Sequence, residues 1–322
     1  MTPAFAVERL REAVRARIIG VLADAPYAGV LIALAVGDQR AIAAEQWQVF
    51  TRTGVNHLMS ISGLHVTMLA GLAFALAYHG WRRSARLTLR LPARKAAVLA
   101  GLLAALAYAW LAGFAVPAQR TVYMLAVVAL ALWSGRTTSA SYVLCAALMV
   151  VLIIDPWAVL APGFWLSFGA VAIILFVSAG RIAQAHWLTA WARVQWAITL
   201  GLIPLLLAMF QQISVVSPLA NAFAIPLVSL IVVPLTLLGV IVPWNFLLAA
   251  AHWMMSLCAT MLDWVGAVPF AVWQQHAPVA WTIPVAVAGV FWLLLPRGFP
   301  ARATGAVALL PLFAVLPLAP AE

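Results

Sequence analysis

The sequence predicts an all-α membrane protein, a polytopic bundle of roughly ten transmembrane helices. Hydrophobic residues make up 66% of the 322 residues and charged residues only 8%, whereas about a quarter of the residues in a soluble domain are charged. The apolar residues also fall into separate blocks, most of them near the roughly 20 residues that a helix needs to cross a bilayer. A chain with so few charges is solvated largely by lipid.

Ten apolar blocks are candidates for spanning helices. They lie at 58–79, 96–116, 120–134, 140–154, 160–179, 195–210, 216–243, 246–267, 279–295 and 303–319. Several are short, and Asp155-Pro156 is the only break between the fourth and the fifth block. The count of ten is therefore approximate.

The segment before the first block predicts helices that do not span. In the first 22 residues, apolar side chains recur every three or four positions with charged residues between them, which is typical of an amphipathic helix in the membrane interface. Residues 27–36 are apolar but too short to span, so we expect a buried or re-entrant helix. Residues 45–53 are polar with interspersed aromatic residues and suit an interfacial helix. We therefore divide the chain into 1–57, on the extracytoplasmic side, and the transmembrane domain 58–319.

Basic residues are distributed unevenly among the loops. The loop between the first two blocks has no acidic residue and six basic ones: Arg82, Arg83, Arg86, Arg90, Arg94 and Lys95. The positive-inside rule places this loop in the cytoplasm. The loops carrying the following arginines then lie there too: Arg136, Arg181, Arg193, Arg297 and Arg302. Both termini then lie outside, although the N-terminal arm is also rich in arginine. Topology thus accounts for much of the net charge of +10, which would otherwise suit an anionic partner.

Four prolines interrupt the seventh block at regular intervals: Pro218, Pro226, Pro234 and Pro243. Each proline removes a backbone donor and frees a carbonyl one turn earlier. The fold class therefore includes at least one broken helix. Two interpretations stay open: kinked helices packed against their neighbours, or a discontinuous helix bordering a passage. Asn221 in the same block favours the passage slightly.

The start of the first block concentrates polar residues within ten positions: Asn56, His57, Ser60, Ser62 and His65. Polar groups inside a bilayer are costly and normally face the bundle interior or a wet cavity. At about 100° per residue, His57, Ser62 and His65 fall on one side of this helix. Gly63 leaves that side open to another backbone or a substrate. The alternative is that these groups only bond to neighbouring helices.

This polar run also carries a resemblance to a known family. Gly54-Val55-Asn56-His57-Leu58 followed by Ile61-Ser62-Gly63-Leu64-His65-Val66 resembles the signature of the ComEC-type competence proteins, which form the inner-membrane channel for DNA in natural transformation. The similarity continues, within about 54–245, in three further groups of residues: Pro117-Ala118-Gln119-Arg120, Asp155-Pro156 with Phe164-Trp165-Leu166-Ser167-Phe168, and Ser217-Pro218 with Asn221 and Pro226. Family members usually also have an OB-like domain before this region and a metallo-β-lactamase-like domain after it. Neither is found in this sequence, so the resemblance covers the membrane domain alone.

The resemblance implies a channel, not an enzyme, that passes single-stranded DNA into the cytoplasm. The implied lining residues are His57, Ser60, Ser62, Gly63, His65, Arg120 and Asn221. Arg120 suits bidentate contact with a phosphate. The structural or gating candidates are Asp155, Ser167, Pro218 and Pro226. Of these, Asp155 either caps a helix or pairs with Arg120.

The implied partners are single-stranded DNA, membrane lipid, a periplasmic DNA receptor and cytoplasmic proteins that translocate or bind DNA. No cofactor or metal is expected. Because the sequence has no G-x-x-x-x-G-K-[ST] motif, the driving force must come from mass action or from a cytoplasmic motor.

Two other functions remain as alternatives. A secondary transporter of a small solute would use the proline-rich block as its broken helix. An intramembrane hydrolase would use Ser62 as nucleophile and His65 as base, because residues three apart on a helix can touch. Ser62, however, lacks the preceding glycine-rich turn that would suggest an oxyanion hole.

Overall fold

The computed structural model describes residues 3–135, 139–179, 186–296 and 298–315. The loop residues Arg136, Arg181 and Arg297 and the end of the last apolar block lie outside this part of the chain. In chain order the α-helices are α1 (Pro3–Leu22), α2 (Ala28–Val36), α3 (Ala44–Arg52), α4 (Gly63–Trp81), α5 (Ala85–Arg90), α6 (Ala93–Leu111), α7 (Val116–Ser134), α8 (Ala140–Ile154), α9 (Pro162–Ser178), α10 (Trp187–Phe210), α11 (Ser217–Leu227), α12 (Val233–Ile241), α13 (Asn245–Gly266), α14 (Thr282–Leu293) and α15 (Leu310–Ala314).

Shorter elements connect these helices. The 3-10 helices are Gln39–Ala41, Asn56–Leu58, Pro156–Leu160 and Arg302–Leu309, and one π-helical turn covers Val228–Val232. Strands β1 (Gln212–Ser214) and β2 (Val272–Gln274) pair antiparallel, with Gln212 opposite Gln274.

Ten apolar helical segments are present among the described residues. Six are long and apolar enough to cross a membrane: α4, α6, α7, α10, the segment Ser217–Ile241 and α13. Four are shorter: α8, α9, α14 and Arg302–Ala314. These segments coincide with the ten predicted blocks, so the all-α fold class with about ten spans is confirmed.

The chain forms two compact units. The first comprises Met1–Val151 and Leu219–Ala267, and the second comprises Leu152–Pro218 and Val268–Glu322. The division predicted between residues 57 and 58 falls within the first unit. In the second unit, Gly201 of α10 packs on Ile173 of α9, and α14 packs closely on Arg302–Leu309.

Helix α2 is the buried centre of the first unit, as its length and apolar composition predicted. A buried helix end must find partners for its last carbonyl groups. Tyr108 Oη donates to Leu34 O at 2.7 Å, and Arg11 Nη2 donates to Val36 O at 3.2 Å. Gly37 follows with a left-handed φ of 77° and donates its N–H to Ala33 O at 2.9 Å. These bonds let a short apolar helix end inside the protein.

Helix α1 packs against this core through Val14 and Ile18, which are buried, whereas Leu10 is 55% exposed. The amphipathic helix predicted there is thus present, with a narrower buried face. Arg15 forms a salt bridge with Asp38, which follows α2. Together with Arg11, it accounts for part of the N-terminal arginine content that disagreed with the positive-inside rule, because these charges are used within the fold.

The proline-rich block is one continuous helical segment in which the hydrogen bonding changes. Pro226 lies in the last turn of α11, and Pro234 is at the start of α12. A proline ring clashes with the carbonyl four residues earlier, which for Pro234 belongs to Leu230 in the π-helical turn. The wider π turn relieves that clash. The predicted break is therefore an interruption of the α-helical bonding.

Candidate functional site

Gly54 ends helix α3 with a left-handed backbone (φ 74°), which costs a residue with a side chain roughly 1–2 kcal/mol. The Gly54 N–H donates to Thr51 O at 3.1 Å, and the Val55 N–H donates to Phe50 O at 2.9 Å. These two bonds form a Schellman motif, which satisfies carbonyls of the last helical turn. Val55 and Phe50, the apolar pair of the motif, both belong to the main buried cluster. The backbone thus requires the glycine of the signature.

Residues 55–62, which we call the polar loop, have an apolar and a polar side. The buried side chains are those of Val55, Leu58, Met59 and Ile61. Of the polar residues, the first two are exposed and the last two half-buried: Asn56, His57, Ser60 and Ser62. The apolar residues anchor the loop in the first unit, and the polar ones remain more accessible.

The prediction that His57, Ser62 and His65 share one face of a single helix is wrong. His57 lies in the 3-10 helix Asn56–Leu58, and α4 begins only at Gly63. The reason is the cap: the Ser62 hydroxyl binds the first turn of α4 and ends the irregular segment there. His57, Ser60 and Ser62 instead share the polar side of the loop.

His57 is neutral at pH 7. Its backbone N–H donates to Asn56 Oδ1 at 2.9 Å. Although His57 is exposed at the surface, the protein around it partly desolvates the imidazole and lowers the pKa of His57 below its ordinary value. A hydrogen bond with the backbone of Gly54 opposes this effect only in part. A neutral imidazole has one donor and one acceptor. It can therefore bind a polar group without holding an anion tightly.

Ser62 and His65 form a capping box at the start of α4. Ser62 Oγ accepts from the His65 N–H, and His65 Nδ1 accepts from the Ser62 N–H, each at 3.4 Å. Glu or Gln usually occupies the second position of this motif. Since Nδ1 accepts, we assign the proton of the neutral ring to Nε2. The buried Nε2 atom forms no hydrogen bond of strict geometry among the described residues, although the backbone of Ser60 interacts with the ring.

Gly63 brings the start of α4 against the turn of α7 that carries Arg120. A Cβ atom at Gly63 would lie 2.6 Å from Thr121 Oγ1, closer than side-chain contacts allow. The Thr121 hydroxyl donates to Pro117 O at 3.0 Å, which fixes it in this position. Arg120 is only 6% exposed. The contact between Gly63 and Thr121 thus brings the start of α4, directly after the polar loop, against the helix that carries the buried Arg120.

Asn221 is buried in α11, in the same unit. Its neighbours Ala220 and Ala224 belong to the buried cluster that also contains Val55, Leu58 and Met59 of the polar loop. Helix α11 therefore packs into the core on which the polar loop is anchored. Pro226 follows one turn later, directly before the π-helical turn.

The remaining candidates lie in the second unit. Asp155 Oδ1 accepts from the Trp157 N–H at 3.1 Å and caps the 3-10 helix Pro156–Leu160, so the capping role expected for Asp155 is confirmed. Ser167 is half-buried in α9, and Pro218 is the second residue of α11. Among the described residues, no group of three His, Cys, Asp or Glu side chains is placed to hold a metal ion.

The sequence reading missed Thr121 and Ser229. Thr121 follows the arginine of the family motif, but only the fold shows that it faces Gly63. Ser229 lies in the π-helical turn, and its hydroxyl is buried without a partner in the described part of the chain. Helix α4 touches this turn. The available signal in the sequence was a serine between two prolines, Pro226 and Pro234. Its place in a π-helical turn supports a functional interpretation, because π turns are frequent at functional sites.

These features define a polytopic helical membrane protein whose polar residues gather around the start of one spanning helix. Residues 34–300 match the family model described as Competence protein. The chain therefore belongs to the competence protein family, and the resemblance noted in its sequence is confirmed.

Individual relatives agree with this assignment. The chain is 43% identical to Competence protein ComA of Neisseria gonorrhoeae over 278 residues, which cover 85% of this chain and 39% of that protein. It is 32% identical over 228 residues to Recombination protein 2 of Haemophilus influenzae, covering 66% of this chain and 28% of that protein. It is also 32% identical over 218 residues to ComE operon protein 3 of Bacillus subtilis, covering 66% of this chain and 26% of that protein. The chain thus spans well under half the length of these relatives, and no solved structure shows a significant match.

Proposed function

We propose that this chain forms the membrane part of a channel that passes single-stranded DNA into the cytoplasm during natural transformation. The observation that carries the proposal is the contact between Gly63 and Thr121, which joins the helix that follows the polar loop to the helix that carries the buried Arg120. Membership in the competence protein family and the names of the relatives support DNA as the cargo.

The chemistry of the lining fits a strand of phosphates. A bare anion in hydrocarbon is prohibitively costly, so the route must be wet or lined with donors. Arg120 provides a guanidinium group that binds phosphate bidentately. His57, Ser60, Ser62 and Asn221 add neutral polar groups, and conduction needs several sites that each bind weakly.

Arg120 and His65 are buried, and this arrangement corresponds to a closed channel. Opening moves the start of α4 away from Thr121, at the point where the absence of a side chain on Gly63 allows the two helices to meet. The movement exposes the Arg120 guanidinium. It also gives the His65 Nε2 atom access to water or to a phosphate oxygen.

We assign the chain no enzymatic role. In a nucleophile–base pair, the imidazole accepts the proton of the serine hydroxyl. Here Ser62 Oγ accepts from a backbone N–H, and His65 Nδ1 accepts from another. This mutual capping favours a structural role for the pair over hydrolysis.

The proposal implies a location and partners. The protein lies in the inner membrane with both termini outside, as the arginine distribution of the loops suggests. A periplasmic receptor delivers the DNA, and cytoplasmic proteins that translocate or bind DNA draw it inward.

The experiment compares bound and internalised DNA in transformable cells that carry His65→Ala or Arg120→Ala in the full-length protein. Internalised DNA should fall by at least about tenfold, the effect of losing about 1.4 kcal/mol of stabilisation, while DNA bound at the surface persists. The matched controls are His79→Ala, at the exposed far end of α4, and Arg40→Ala, also exposed. Both should keep normal uptake.

Unchanged uptake in both His65→Ala and Arg120→Ala would show that the assigned residues do not line the route. Ser62→Ala separates the enzyme alternative, because a hydrolase loses all turnover while a channel is only partly impaired. Proteoliposomes that admit a small solute and exclude an oligonucleotide would indicate a secondary transporter instead.

A further inference from the structure

The loop between α4 and α6, residues 82–95, forms a basic surface. It contains no acidic residue, and its exposed arginines are Arg82, Arg83, Arg86, Arg90 and Arg94. Both flanking helices are long and apolar enough to cross a membrane. So short a connection between two spanning helices must lie at the membrane surface.

The loop has a defined structure. Helix α5 occupies its centre, and the Thr88 hydroxyl donates to Ser84 O at 3.2 Å. Trp81 Nε1 donates to Leu91 O at 2.9 Å and ties the end of α4 to the segment after α5. The loop therefore presents its side chains from a fixed backbone.

Two leucines stand among the arginines. Leu89 is 88% exposed, and Leu87 is exposed as well. Leucines that remain uncovered beside arginines are typical of segments that lie in the lipid headgroup region, where the cations meet phosphates and the apolar side chains reach the acyl chains.

We propose that the loop 82–95 binds anionic phospholipid headgroups and inserts Leu89 into the adjacent leaflet. Clusters of basic residues next to a spanning helix attract anionic lipid, and each residue contributes separately. Charge complementarity and the exposed leucines favour lipid over a nucleic acid strand, which would instead use aromatic platforms for its bases. Of the nearby aromatic rings, Trp133 already has the Lys95 ammonium group over one face, and Tyr78 has the Arg82 guanidinium group over one face. The proposal does not depend on DNA transport.

The test uses the full chain in lipid nanodiscs. Leu89→Cys carries an environment-sensitive fluorophore in a Cys145→Ala background, because Cys145 is exposed and Cys258 is buried. The nanodiscs contain phosphatidylcholine with a rising fraction of phosphatidylglycerol. As that fraction rises, we expect a blue shift of the emission and stronger quenching by lipids spin-labelled in the upper acyl chain. High salt should weaken both effects.

Two charge variants distinguish lipid binding by the loop from a general effect of the protein's net positive charge. Arg86→Gln/Arg90→Gln should lower the apparent affinity for phosphatidylglycerol roughly fivefold per arginine removed. Arg9→Gln/Arg40→Gln removes two exposed arginines elsewhere and should behave like the parent. Equal thermal unfolding temperatures for the labelled parent and the two double variants check that folding is intact.

Identical fluorescence at position 89 in both lipids would overturn the proposal, as would equal losses in the two double variants. A single-stranded oligonucleotide that produces the blue shift in pure phosphatidylcholine, when phosphatidylglycerol does not, would make this surface a nucleic-acid contact instead.

Discussion

Gly63 at the start of α4 lies so close to Thr121 of α7 that a methyl group at position 63 would come within 2.6 Å of the threonine hydroxyl oxygen. The contact joins the helix that follows the polar loop to the helix that carries Arg120. The sequence of neither helix indicates that the two approach each other at this point. The glycine determines how closely they approach and, in the proposed function, where they separate.

Gly63→Ala should destabilise the protein by about 1–3 kcal/mol, because the new methyl group forces side chains or backbone to move in a packed interface. Thermal unfolding in detergent or nanodiscs measures the effect. Gly71→Ala in the same helix is the control, since a Cβ there meets nothing within 4 Å. If Gly63→Ala unfolded at the same temperature as Gly71→Ala, the result would contradict the close contact between Gly63 and Thr121.

Gly54→Ala should lower the free energy of unfolding by roughly 1–2 kcal/mol, because the left-handed backbone of the Schellman motif disfavours a side chain. Gly20→Ala in α1 is the comparison: it has open space around it and no positive φ. Denaturant unfolding of both variants measures the difference, and equal midpoints would argue against the left-handed conformation at Gly54.

Tyr108→Phe should cost about 1–3 kcal/mol, because the Leu34 carbonyl at the end of buried helix α2 loses its donor. Tyr142→Phe removes a hydroxyl from a side chain that is 75% exposed and should leave the unfolding temperature unchanged. If both variants unfold at the parent's temperature, the Tyr108–Leu34 hydrogen bond does not support α2.

Acidification should destabilise the protein in part through His57. Its folded-state pKa is lowered by desolvation, so the unfolded chain binds a proton more readily than the folded protein. The stabilisation is therefore present above the ordinary pKa of about 6.5 and is lost as the pH falls below it. Unfolding temperatures at about pH 7.5 and pH 5.5, on either side of that value, should differ less in His57→Gln than in the parent. A pH dependence in His57→Gln equal to that of the parent would remove His57 as a cause.

The spans could be predicted because hydrophobic blocks of sufficient length have few other uses. The start of α4 could not be predicted, because the apolar pattern of the helix continues backwards into the preceding loop, through Leu58, Met59 and Ile61. The helix begins where Ser62 caps it, with His65 in a position that usually holds Glu or Gln. No local pattern signals that partner.

The site was predictable only where a residue type has restricted uses. A cluster of polar residues next to a span indicates function whatever the fold, which made His65 a candidate. Arg120 became a candidate through the family resemblance. Thr121 is an ordinary helix residue until the fold places it against Gly63. Likewise, the arginines of α1 disagreed with the predicted topology, and only the fold shows that one of them, Arg15, pairs with Asp38.

The most direct test of the central claim is photo-crosslinking during DNA uptake. A photoreactive amino acid replaces either Ser60, on the polar side of the polar loop, or Leu76 in helix α4. Leu76 is 66% exposed and is expected to face lipid. With labelled DNA entering the cell, the polar loop should crosslink to DNA at position 60, and position 76 should crosslink to lipid alone. DNA that enters normally without crosslinking at position 60, or that crosslinks equally at both positions, would contradict a DNA route along the polar loop.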